Sequence, residues 1–130
     1  MFIDTSVIVA ILSSEPDATE FSNKIEAAAP CCTSALVILE AAMRLSTKLG
    51  VDPVEVEKRI WALMDEAGIT LVPVGEKMVS LAVKAFADYG KGRGHPAQLN
   101  LADCLSYACA KALGMPLLYK GQDFARTDLG

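Results

Sequence analysis

Hydrophobic residues in this chain fall into short dense runs, separated by longer stretches in which apolar positions recur every three or four residues. The short runs read as buried strands: Met1 to Asp4, Cys31 to Thr33, Ile69 to Pro73 and Pro116 to Lys120. The longer stretches read as helices, and their ends carry stop and start signals. Thr5 or Ser6 can cap a helix through Leu12. Ser14-Glu15-Pro16-Asp17 is a break, and Pro16 suits the first turn of a helix ending near Ala29, where Pro30 stops it. Ser34 is placed to cap a long helix from Ala35 to about Leu49, with Gly50 beyond it. Asp52-Pro53 opens a helix to about Ala67, closed by Gly68, and another runs from Glu76 to Tyr89. The segment Gly90-Lys91-Gly92-Arg93-Gly94-His95-Pro96 reads as a basic, glycine-rich, mobile loop. Asn100 caps a last helix to about Leu113, which Gly114 ends, and Gly121 turns the chain after the final strand.

Short strands alternating with helices predict an α/β fold with a parallel sheet. Ligands in such sheets bind beyond the carboxyl ends of the strands, so the polar residues just after each strand become informative. A chain of 130 residues fits one domain with a real core. With 52% hydrophobic and 22% charged residues it is not a disordered tail. The net charge of −4 argues against a broad phosphate-binding surface. Any nucleic-acid role therefore rests on a local site, with metal ions supplying positive charge.

The apolar run Val7 to Leu12 is far shorter than the ~20 residues needed to span a bilayer, and no Lys or Arg precedes it. The chain reads as soluble and cytoplasmic, without a membrane role. Cys31, Cys32, Cys104 and Cys109 then read as reduced thiols in apolar surroundings. Zinc spacing is poor: one pair is adjacent, the other is five apart on a helix, and His95 is the single histidine.

Four acids stand out. Asp4 ends the first strand; Thr5 and Ser6 could cap the helix that follows, which would leave the Asp4 carboxylate surplus to folding. Glu40 lies mid-helix with Leu36 and Met43 on its face, where an unpaired carboxylate is costly; a pair with Arg44 is the structural alternative. Asp103 falls in the first turn after Asn100, a place that suits a helix dipole, yet among Leu99, Leu101, Ala102, Cys104 and Leu105. Asp123 follows the last strand and alone would be an ordinary turn aspartate. Together they map to one edge of the sheet. Converging carboxylates repel each other and cannot all stay ionised without a cation. Oxygen ligands suit Mg2+ or Mn2+, and such ions on carboxylates can drive phosphodiester hydrolysis.

The opening Met-Phe-Ile-Asp4-Thr5-Ser6, the mid-helix Ala-Leu-Val-Ile-Leu-Glu40-Ala-Ala, the segment His95-Pro96-Ala97-Gln98-Leu99-Asn100-Leu101-Ala102-Asp103-Cys104 and the segment Leu117-Leu118-Tyr119-Lys120-Gly121-Gln122-Asp123-Phe124 together resemble PIN-domain ribonucleases. The nearest likeness is to the VapC-like toxins of bacterial toxin–antitoxin pairs, and it covers essentially the whole chain. The resemblance implies a three-layer sandwich around a parallel sheet of four to five strands. It implies Mg2+- or Mn2+-dependent endonuclease action on RNA, leaving a 5′-phosphate and a 3′-hydroxyl, and inhibition by a cognate antitoxin. Asp4, Glu40, Asp103 and Asp123 match the acidic quartet by position, with Thr5 and Ser6 as the small polar residues beside the first acid. The chain stops at Leu129-Gly130, so the usual last strand is short or missing, and Asp128 stays outside the core set.

Lys91, Arg93, Lys120 and Arg126 lie near the acids in sequence and could position RNA phosphates. The resemblance also implies a homodimer. The amphipathic segments Pro16–Ala29 and Asp52–Glu66, with Trp61, offer a dimer or antitoxin groove, or plain core packing. Two other readings stay open: a catalytically silent binding module of the same fold, and an aspartate-nucleophile phosphotransferase using Asp4. The latter class usually has a second Asp where Ser6 stands.

Overall fold

The computed structural model describes residues 1–130. Its strands are β1 (Phe2–Ile3), β2 (Cys31–Thr33), β3 (Ile69–Leu71) and β4 (Leu117–Leu118). Its helices are α1 (Thr5–Leu12), α2 (Ala18–Ala27), α3 (Ala35–Leu49), α4 (Pro53–Ala67), α5 (Glu76–Tyr89) and α6 (Leu101–Leu113), followed by a 3-10 turn at Phe124–Arg126. The strands form one sheet in the order β3-β2-β1-β4. All three pairings are parallel, with Phe2 level with Cys32 on one side and Leu117 on the other.

This order follows from how the crossovers must run. The chain steps from β1 to β2 to β3 in one direction, then returns across the sheet to β4. Right-handed crossovers place α1 to α4 on one face and α5 and α6 on the other. The packing agrees: α1 lies against α2 and α3, α3 against α4, and α5 against α6. The direction of winding reverses between β1 and β4, which creates a crevice at their carboxyl ends. Phe2, Ile3, Ile8, Leu45, Ile60 and Leu99 are fully buried and fill the space between sheet and helices.

The expected elements are all present, with shorter ends. Asp4 is not the last residue of β1 but the N-cap of α1, so capping by Thr5 or Ser6 is corrected. Pro16 lies in the turn before α2, which begins at Ala18, two residues later than Pro16 suggested. Ser34 occupies the N-cap position of α3, yet its hydroxyl makes no capping bond. Residues 72–73, 116, 119 and 120 lie outside the named strands, although Val72 N–H still donates to Thr33 O and Phe2 N–H to Pro116 O, each at 2.9 Å. The glycine-rich segment is tied at both ends: Lys91 N–H donates to Leu99 O and Leu99 N–H donates to Tyr89 O, each at 2.9 Å. Four strands form, and the segment after β4 contains a 3-10 turn and no fifth strand. All four cysteines are buried free thiols. No helix is long and apolar enough to cross a membrane.

Candidate active site

Asp4 follows β1 with an extended backbone (φ −79°, ψ 158°) and is 4% exposed. Its Oδ2 accepts the Ser6 backbone N–H at 3.0 Å and the Ser6 hydroxyl at 2.7 Å. The Ser6 hydroxyl oxygen in turn accepts the Lys120 backbone N–H at 2.9 Å. One side chain thus fixes the rotamer of Asp4 and fastens the end of β4 to the start of α1. The Asp4 carboxylate is therefore not surplus to folding: capping occupies one of its oxygens and leaves Oδ1 without a partner. Thr5 is buried, and its hydroxyl has no hydrogen-bond partner.

Asp103 is held by a different local device. The Asn100 side chain accepts the Asp103 N–H at 2.9 Å, and the Asp103 carboxylate accepts the Asn100 N–H at 3.1 Å, a reciprocal capping box. Asp103 is half-buried. Burial pushes its carboxyl up to about 7, the Asn100 amide opposes that rise, and the charges of Asp4, Asp123 and Glu40 add to it. Asp4, Asp123 and Glu40 thus each stand within electrostatic reach of Asp103.

Glu40 and Asp123 are less constrained. Glu40 is half-buried and makes neither the alternative pair with Arg44 nor any other ion pair. Its surroundings are more open than the apolar pattern suggested, since Leu39 and Met43 are 56% and 61% exposed. That outcome corrects the argument from buried apolar neighbours: α3 packs against α1 and α4 through Val37, Ile38, Ala41, Ala42 and Leu45 and turns Glu40 aside from that seam. Asp123 is exposed, precedes the 3-10 turn and makes no side-chain cap bond. The quartet thus splits into two acids locked by hydrogen bonds and two with free side chains.

As oriented, no three acids converge on a point where one ion could sit. The donor set nonetheless fits a hard divalent cation. It is all carboxylate oxygen, its most buried members each keep one oxygen free, and its other members are unbonded and can turn inward. Of the basic candidates, Lys91, Arg93 and Arg126 are exposed, and Arg93 stacks 5.7 Å from the Phe86 ring. Lys120 is committed elsewhere, because its ammonium bonds Glu15 and Asp17 at 3.0 Å each. The Ser6 relay and the capping box were missed in the sequence. The Asn100-x-x-Asp103 spacing was a usable signal for the second; nothing local announces the first.

The shifted carboxyl of Asp103 has a pH signature. Its folded value of about 7 lies above the 3.8 of an unperturbed Asp. The folded state therefore binds more protons between those values, and stability falls as pH rises through that window. Metal-free protein should melt higher at about pH 5.5 than at about pH 7.5, and Asp103→Asn should flatten that slope. Thermal melts in EDTA check this; an identical slope in the variant would contradict the placement of Asp103.

Residues 1–129 match the PIN domain family. Ribonuclease VapC28 of Mycobacterium tuberculosis is 42% identical over 127 residues, covering 98% of this chain and 93% of that protein. Ribonuclease VapC30 of the same species is 43% identical over 129 residues, covering 99% and 95%. Ribonuclease VapC42 is 38% identical over 129 residues, covering 99% and 96%. With a sheet that reverses its winding between Asp4 and Asp123, and relatives of this similarity over nearly the full length, the chain belongs to the PIN-domain family.

Proposed function

We propose that this protein is an endoribonuclease, the toxin of a toxin–antitoxin pair, which hydrolyses RNA phosphodiester bonds with Mg2+ or Mn2+ held by Asp4, Glu40, Asp103 and Asp123. The observation that carries this reading is the Asp103 carboxyl, desolvated and surrounded by the charges of three other acids. Such a group is poorly placed to ionise alone and well placed to ionise against a cation. The names of the VapC relatives support RNA as the substrate.

Asp4 and Asp103 present their free oxygens from fixed rotamers, and the unbonded side chains of Glu40 and Asp123 would turn in from the sides on an ion. Thr5 and Ser6 support Asp4, Ser6 by the hydrogen bonds described above. Lys91, Arg93 and Arg126 are exposed and are the cations we assign to phosphates flanking the scissile bond. The bound ion, when present, supplies an activated water and charge neutralisation at the phosphate.

Asp4→Asn and Asp103→Asn should each lower RNA cleavage by about 100-fold or more while leaving the fold intact. EDTA should abolish cleavage, and Mg2+ or Mn2+ should restore it. Cleavage assays on a defined RNA, with circular dichroism as the folding control, check this. Full activity in either variant or in excess EDTA would overturn the mechanism.

The groove between α2 and α4, lined by Ile11, Leu12, Ile25 and Leu63 with Arg59 and Glu66 at its rim, suits an amphipathic antitoxin segment. Trp61 lies outside it, on the α3 side of α4. A homodimer fits a separate face. Val79, Val83 and Phe86 of α5 and Leu101 of α6 are 52%, 64%, 46% and 82% exposed. With Leu36 and Leu105 they line an apolar trough, with Arg93 over the Phe86 ring, and the protruding Leu101 makes the face a candidate for self-complementary packing. Purified protein should sediment as a dimer and Val83→Asp as a monomer. A monomeric parent, or a dimer indifferent to Val83→Asp, would remove this face as the interface.

A further inference from the structure

The fourth carboxylate has no hydrogen bond of its own, so its position depends on the chain to either side. On one side the Lys120 N–H is fastened to Ser6. Gly121 then turns at φ 104°, and residues 120–123 are exposed. On the other side, residues 124–128 form a short strap. Phe124 is buried and packs on Tyr119 with ring centroids 5.3 Å apart. The Thr127 hydroxyl donates to Phe124 O at 2.7 Å and closes the turn.

The strap is fastened at its far end by Asp128. Its Oδ1 accepts the Tyr107 hydroxyl at 2.5 Å, and its Oδ2 accepts the Lys111 ammonium at 2.7 Å. The Tyr89 hydroxyl stands 3.5 Å from the same Oδ1. The Lys111 ammonium and the Tyr107 hydroxyl hold the Asp128 carboxyl below the usual carboxylate range, so it is charged at neutral pH. Both oxygens are in use, which separates Asp128 from the acids whose oxygens are free. Tyr107 and Lys111 follow Asp103 on α6 at intervals of four, so all three lie along one side of that helix. The strap is thus tied to the side of α6 that carries Asp103.

We propose that Asp128 is a positioning residue for Asp123: by clamping residues 124–128 to Tyr107 and Lys111, it sets where the fourth carboxylate stands relative to Asp103. The effect on catalysis rests on the ribonuclease reading; the effect on the strap does not. A carboxylate displaced by about an ångström costs roughly 100-fold in rate when it acts in the reaction. Arg126 rides on the same strap, so KM can rise as well; the fall in kcat is the part that passes through Asp123.

The test combines a double-variant cycle with hydrogen exchange. Asp128→Ala should lower kcat by about ten- to a hundred-fold. The same substitution in an Asp123→Asn background should lower it no further. Lys111→Met and Tyr107→Phe, which each remove one partner and keep Asp128, should give smaller losses of the same kind and serve if Asp128→Ala folds poorly. Amide exchange at residues 122–127 should quicken at least several-fold in Asp128→Ala while α1 and α3 stay protected. Equal losses of kcat in both backgrounds, or unchanged exchange across the strap, would overturn the proposal. A parent protein that cleaves no RNA with any divalent cation would sink the ribonuclease reading instead, and the exchange data would still decide the strap.

Discussion

The whole arrangement turns on one electrostatic conflict. Asp103 is partly withdrawn from water at the edge of the sheet, within reach of the charges of three other acids, and its carboxyl is pushed up to about 7 as a result. Burial is the largest cause and the neighbouring charges add to it. A fold built for stability alone would place an apolar side chain or a cation there. Retaining four acids instead leaves a site whose charge is balanced only when a positive partner arrives.

The topology explains why these residues meet. Winding reverses between β1 and β4, so Asp4 and Asp123 follow the two strands that flank the crevice. The locally required bonds then set two of the side chains. Asp4 caps α1 and Asp103 completes the capping box of α6. A cap of this kind contributes about 1 kcal/mol to a helix, and the same bond fixes the carboxylate's direction. Folding and site geometry are therefore not separate here: removing either acid disturbs a helix start as well as the site. Isosteric Asn keeps an oxygen for the cap, which is why it is the informative substitution.

Much of this was legible in the residues. Gly50, Gly68 and Gly114 mark three helix ends at positive φ, as the placement of those glycines after apolar-periodic stretches implied. All four strands and six helices could be read from hydrophobic spacing and capping residues, with errors only at their ends. The quartet was legible as four acids near strand ends or on an apolar helix. Glu40 marks a limit, because helical spacing says which residues share a face and not whether that face is covered, and Met43 beside it is exposed. Contacts between distant segments were not legible. Lys120 reading as a phosphate ligand, when it is bound by Glu15 and Asp17, is one case. Asp128 is another, since its partners lie 17 and 21 residues away and no local pattern links them.

The central claim is that the acids form a single cation site anchored on the two hydrogen-bonded carboxylates. A crystal structure determined with Mn2+, using the anomalous signal of the metal, tests it most directly. The account predicts a strong peak between the carboxylates of Asp4 and Asp103, with Glu40 or Asp123 turned toward it. A peak elsewhere on the surface, or none at saturating Mn2+, would contradict it.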